Sequence, residues 1–265
     1  MKARAVAPVE SEPAGPTCER RYLLDRRQAD GLLGVVASRL HRVVYDPARP
    51  IAYARTTYLD TDDLRSFHAQ PGPAPVRCRV RQYASAADVH APPRLTRACY
   101  LELDEGTARL RSRQRLALDP SCEAAVAIDP CPSPRLLRVL GGIGRRGGLF
   151  PKVTTWVRRT TFRSFLGDLR IALDEAIVYA PPTWLWPPGE IAIPPGLIAL
   201  GPSRLLSIKH RDAWLPTWLA RLLADLPEAL EFSRYRSAMS ALLDRFDASS
   251  TRVTRPMPPL AEAAS

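Results

Sequence analysis

The stretch Arg77-Cys78-Arg79-Val80-Arg81-Gln82-Tyr83 is the one on which the fold turns. As a β-strand, its period of two sets Arg77, Arg79, Arg81 and Tyr83 on one face and Cys78, Val80 and Gln82 on the other. Guanidiniums side by side repel one another unless something anionic lies between them. A solvated edge strand satisfies this pattern as well as an anion site does, so the neighbouring strands have to decide.

Working outward, the same alternation recurs. In Glu19 to Leu24, Glu19, Arg21 and Leu23 share one face and Arg20, Tyr22 and Leu24 the other. Asp25 follows as an N-cap with Gln28 three residues on, and Leu32, Leu33, Val36 and Leu40 then fall at helical spacing, which predicts an amphipathic helix of about four turns. A strand is expected over 51–59, closed by Asp60-Thr61-Asp62, and the turn Pro71-Gly72-Pro73 leads into the arginine stretch. Beyond a polar loop over 84–94, Tyr100, Glu102 and Asp104 oppose Cys99, Leu101 and Leu103. Over 152–161, Lys152, Thr154, Trp156, Arg158 and Thr160 share a face. Over 168–175, Asp168, Arg170, Ala172 and Asp174 oppose Leu169, Ile171 and Leu173. Over 204–210, Leu205, Ser207 and Lys209 oppose Leu206 and Ile208, and 216–246 reads as two helices.

The segment 106–150 has weaker grammar: a basic cluster from Arg109 to Arg115, helical patterns over 121–128 and 134–140, and a glycine-rich basic loop over 141–148. That loop has neither the P-loop nor the Rossmann spacing and is expected to be a connection. The Pro-rich crossing over 181–202 is expected to be a surface loop.

The chain has 265 residues, 46% hydrophobic composition and a formal net charge of +11, enough for a real core and a polyanionic partner. Nearly all the positive charge is arginine, the lysines being Lys2, Lys152 and Lys209. Five cysteines without C-x-x-C spacing argue against a disulfide framework or a zinc site and predict free thiols. Residues 1–17 and 249–265 are expected to be a disordered leader and tail around one domain over 18–248. With no signal peptide or spanning apolar run, a cytoplasmic location is expected.

So many polar or ionic strand faces backed by apolar ones are reconciled by a barrel with charges inward and amphipathic helices outside. A wet lumen solvates the charges while the outer face buries apolar area at about 25 cal/mol per Å². The ordered series Glu19-x-Arg21-Tyr22, Thr57-Tyr58-Leu59-Asp60-Thr61, Arg77-x-Arg79-x-Arg81-x-Tyr83, Leu101-Glu102-Leu103, Trp156-x-Arg158, Leu169-Arg170-Ile171-x-Leu173-Asp174, Ile208-Lys209 and Phe232-Ser233-Arg234-Tyr235 resembles the VTC domain. That is the catalytic domain of the vacuolar transporter chaperone complex and its bacterial relatives, in the CYTH or triphosphate tunnel metalloenzyme superfamily.

The resemblance implies an α+β fold built on an antiparallel eight-stranded β-tunnel. It implies transfer of the γ-phosphoryl group of ATP to polyphosphate, with Mn2+ or Mg2+ held by an acidic residue. Carried onto this chain, Arg79, Arg81, Arg158, Arg170 and Lys209 would be the catalytic cations. Arg21, Arg77, Arg234, Tyr83 and Ser233 would join them in gripping phosphate, and Tyr235 would orient or pack beside them. Two departures stand out. Glu102-Leu103-Asp104 and Ser207-Ile208-Lys209 occupy places where the family shows Glu-x-Lys, and the second of those glutamates is its metal ligand. Glu102, Asp104 or Glu19 would then have to supply the metal carboxylate, with Asp174 a further source; otherwise the tunnel binds polyphosphate or a nucleoside triphosphate without turning it over. A membrane-protein partner is compatible with the resemblance. Nucleic-acid binding, the remaining class for so basic a chain, lacks a recognisable motif.

Overall fold

The arginine stretch lies in the middle of strand β4 (Ala74–Ala86), flanked by β3 (Ile51–Asp60) and β5 (Arg94–Gly106). Its register sets Arg79 between Tyr58 and Glu102, and Arg81 between Thr56 and Tyr100. The computed structural model describes residues 17–69, 74–106, 110–118, 148–182, 189–190, 198–199, 204–211, 215–230 and 232–253. The helices expected over 121–128 and 134–140, nearly all of the loop over 141–148 and most of the Pro-rich crossing over 181–202 lie outside these residues.

The remaining long strands are β1 (Thr17–Leu24), β6 (Leu110–Ala117), β7 (Phe150–Arg163), β8 (Leu169–Ala180) and β11 (Arg204–His210). Antiparallel ladders run from β1 through β6, β5, β4, β3, β7, β8 and β11 and return to β1, a ring of eight strands. Between β1 and β6 the ladder among the described residues pairs Thr17 with Arg111 and Cys18 with Leu110. The short strands β2 (His41–Arg42), β9 (Gly189–Glu190) and β10 (Ile198–Ala199) attach at β7, β5 and β8.

Helix α1 (Arg26–Arg39) starts where the sequence predicts. Asp25 accepts the Gln28 backbone N–H at 2.8 Å, and its own N–H donates to the Gln28 side chain at 2.9 Å. Leu32 and Val36 of α1, with Leu219 of α3 (Thr217–Leu222), pack on Tyr22, Ile171, Leu173, Leu206 and Ile208. These are the outer faces of β1, β8 and β11, as the alternation requires. Helix α2 (Arg65–His68) caps the end of β3.

Helix α4 (Arg234–Val253) reaches the inner side of the ring. Tyr235, Ala238, Met239 and Leu242 pack against Ala54 and Tyr58 of β3, Val153 and Val157 of β7, and Ile177 and Tyr179 of β8. The lumen is therefore divided into an apolar part filled by α4 and a charged part. Ala176, at φ 46°, lies at the register shift between β7 and β8; it allows Ile177 to join the apolar part while Asp174 faces the charged one. Among the described residues, no helix is long and apolar enough to cross a membrane.

Candidate functional site: a cationic cavity

The odd-numbered face of β4 delivers Arg77, Arg79 and Arg81 into a cavity inside the ring. From β1 come Glu19 and Arg21, from β5 Asp104, and from β6 Arg113. On the far wall, β7 contributes Arg159, β8 Arg170 and Ala172, and β11 Leu205, Ser207 and Lys209. Tyr58 and the start of α4, with Ser233, Arg234 and Tyr235, complete the lining. The space between them, mouth included, is about 740 Å³. Ser233 Oγ accepts the Arg236 backbone N–H at 3.4 Å, so the cavity abuts a capped helix N-terminus whose dipole favours negative charge.

Two buried carboxylates gather the guanidiniums. Glu102 is fully buried and accepts Arg79 Nε at 2.7 Å and Arg115 Nε at 2.8 Å, with Arg81 and Arg113 at 3.7 and 3.8 Å. Asp174, on the opposite wall, accepts Arg159 bidentately at 2.6 and 3.0 Å and also pairs with Arg234. Burial alone would raise the Glu102 pKa, but Arg81, Arg79, Arg113 and Arg115 outweigh it and hold the carboxyl well below the usual range. Despite these pairs the field stays positive. Burial and the neighbouring Arg159, Arg81 and Arg21 push the Arg234 guanidinium below its ordinary value. Burial opposes ionisation of the Tyr58 phenol, yet Arg79, Arg234, Arg81 and Arg21 draw its pKa below 10.0.

Tyr58 thus offers a reporter. Ultraviolet titration should find a tyrosine that ionises below pH 10, lost in Tyr58→Phe and moved upward by tripolyphosphate as the anion offsets the arginine field. If the tyrosine titration is the same in wild type and Tyr58→Phe, the cavity does not carry this field.

Of the residues singled out from sequence, Arg21, Arg77, Arg79, Arg81, Arg170, Lys209, Ser233 and Arg234 line the cavity together. Arg158 does not line it. Its Nη2 pairs with Glu175 at 3.5 Å, and Arg159 faces inward in its place. The inner column of β7 is Val153, Thr155, Val157 and Arg159, matched across β3 by Tyr58, Thr56, Ala54 and Ala52. Tyr83 lies beyond the lining, edge-on to Tyr100 at 6.2 Å and accepting Arg115 Nη2 at 3.5 Å.

Arg113, Arg159 and Tyr58 are further lining residues. For Arg113 the signal exists in the sequence: Arg111-x-Arg113-x-Arg115 repeats the period of β4. Asp60 is a buried hub, accepting the Tyr235 hydroxyl at 2.6 Å and the backbone N–H groups of Thr61, Ser66 and Phe67 at 2.8 to 3.0 Å. It fixes the start of α4 to β3 and α2, and both burial and the Asp60 carboxylate raise the Tyr235 pKa.

The residues present do not fit a divalent cation. Glu19 accepts Arg21 Nε and Nη2 at 3.1 and 3.0 Å, and Asp104 lies 3.5 Å from Arg113 and 3.7 Å from Arg79. Glu102 and Asp174 are held by arginines as described, and position 207 offers a hydroxyl. Among the described residues no three carboxylate, histidine or cysteine side chains gather as metal ligands. Cys18, Cys78 and Cys99 are free thiols, and burial raises the Cys78 pKa to about 12, so that thiol is inert at neutral pH.

Among solved structures the chain is similar to a candidate adenylate cyclase from Bacillus halodurans, at 12% identity and a TM-score of 0.41 over 94% of this chain and 96% of that one. It is also similar to the PH1819 protein of Pyrococcus horikoshii OT3, at 9% identity and a TM-score of 0.36 over 90% of each chain. No curated protein matches the sequence. The family model of the VTC domain matches residues 17–243, the whole ring and the first half of α4, and the chain belongs to that family.

Proposed function

We propose that the cavity binds the phosphate chain of inorganic polyphosphate or of a nucleoside triphosphate such as ATP, as a polyphosphate polymerase-like domain. The observation that carries this reading is a pair of lining guanidiniums. Arg79 Nη2 and Arg234 Nε are buried donors with no hydrogen-bond acceptor among the described residues. Leaving such a donor without an acceptor costs about 1–3 kcal/mol, more for a charged group, and phosphate oxygens, which guanidinium forks bind bidentately, remove that cost. The capped N-terminus of α4 adds to the attraction.

Family membership favours a second step, transfer of the γ-phosphoryl group of ATP to the end of a polyphosphate chain. Such transfer needs cations placed around the equatorial and bridging oxygens more than it needs a protein nucleophile, and the opposed arginine walls supply them. The test is incubation with ATP and a polyphosphate primer, with and without Mn2+. ADP together with lengthened polyphosphate is the result expected of a polymerase. Tripolyphosphate binding without ADP formation assigns the domain as a binding module, and neither binding nor turnover defeats the phosphate-chain reading.

A further inference from the structure

We infer that the cavity takes its phosphate chain as the bare polyanion, with guanidinium groups standing where a bridging divalent cation would otherwise sit. The inference rests on the phosphate-chain reading above and sharpens it into a statement about the ionic form of the ligand.

The carboxylates come first. A hard dication takes carboxylate and other oxygens in a shell of six or more. Here each carboxylate at or behind the wall already holds at least one guanidinium: Glu19 through Arg21, Asp104 through Arg113, Glu102 through Arg79 and Arg115, and Asp174 through Arg159 and Arg234. To reach any of them a dication would have to enter between like charges in a buried setting, where repulsion is screened least.

The β8–β11–β1 section of the wall is the second observation. Ser207 pairs in register with Arg21 on one side and Ala172 on the other, and two residues along the strand Lys209 lies between Glu19 and Arg170. This section therefore presents a methyl, a hydroxyl and the cations Arg21, Lys209 and Arg170 to the cavity, with Glu19 as its carboxylate, held by Arg21. It suits phosphate oxygens directly.

Charge balance is the third. Nine cationic side chains line the cavity, with Glu19 and Asp104 as the lining carboxylates among the described residues. Glu102 and Asp174 behind them leave a surplus of several positive charges. A bare triphosphate matches that surplus. A divalent cation riding on it removes two of the ligand's charges and adds repulsion against the wall.

The experiment is isothermal titration of the full chain with tripolyphosphate, in EDTA and then in millimolar Mg2+ or Mn2+. Affinity should be highest in EDTA and fall about threefold or more with metal, as free metal competes for the polyanion. Binding about tenfold tighter with metal than in EDTA would overturn the inference while leaving the phosphate-chain reading intact. Absence of binding in both conditions would defeat both. As a second arm, Ser207→Glu places a carboxylate beside Arg21. It should weaken binding in EDTA by about tenfold and recover on addition of Mn2+. Unchanged affinity of this variant in EDTA would overturn the placement of the bound chain against this section of the wall.

Discussion

Tripolyphosphate at about a hundred times its Kd should raise the melting temperature of the wild-type protein by roughly 5–10 °C, and the rise should fall below about 2 °C in Arg79→Ala/Arg81→Ala. Linkage gives about 2.7 kcal/mol for that degree of saturation, and a chain of this size converts each kcal/mol to a few degrees. Arg79 carries the largest expected loss because its side chain is 9% exposed, donates to Glu102 through one nitrogen and leaves Nη2 without an acceptor among the described residues. The double variant remains foldable on physical grounds, since Arg113 and Arg115 still attend Glu102. Near-ultraviolet circular dichroism checks that it folds. A full ligand-induced rise in a folded double variant would remove β4 from the binding site.

Glu102→Gln should lower stability by about 3–5 kcal/mol, the range for breaking one side of a buried charge pair. The amide keeps the shape but replaces an anion with a neutral group that is half donor, in a place where four guanidiniums converge within 4 Å. Urea unfolding at neutral pH measures the difference, and a midpoint within error of wild type would show that the arginines are neutralised elsewhere. The pH dependence has a definite sign. A carboxyl with a depressed pKa in the folded state stabilises above its unfolded value, near 4.5, and this stabilisation drains away as pH falls below that value toward the folded pKa. Wild type and Glu102→Gln should therefore converge in acid. Tripolyphosphate should stabilise the variant more than the wild type, because the ligand then replaces the anion lost from a cluster in which Asp104 remains as the carboxylate.

Much of this site is legible in the sequence wherever the two faces of a strand differ in kind. β4 alternates arginine with Cys78, Val80 and Gln82, and β11 alternates Ser207 and Lys209 with Leu206 and Ile208, so period two alone assigns the inner face. α1 is legible through its reciprocal Asp25–Gln28 cap. β7 is different. Thr154-Thr155-Trp156-Val157-Arg158-Arg159-Thr160 places threonine and arginine on both faces, and Arg159 rather than Arg158 lines the cavity because Val153 and Val157 of its face meet α4 inside the ring. No local property of the stretch says that a helix from the far end of the chain fills part of the lumen. The carboxylates illustrate the same limit. The resemblance marks Glu19, Glu102 and Asp104 as oxygen donors for a metal, but the pairing of β5 between β4 and β6 brings arginines of both neighbours onto Glu102. For Asp60, the hydroxyl it holds comes from Tyr235, 175 residues away.

Among the described residues, β1 meets β6 through Thr17 opposite Arg111 and Cys18 opposite Leu110, the junction that closes the ring. Arg21 stands on one side of the seam and Arg113 on the other, both facing the cavity. A bound polyanion touching both becomes a clasp across the gap, exchanging mutual repulsion for shared attraction. On the proposed reading, an occupied cavity would tie β1 to β6 through their cations as well as through the backbone ladder.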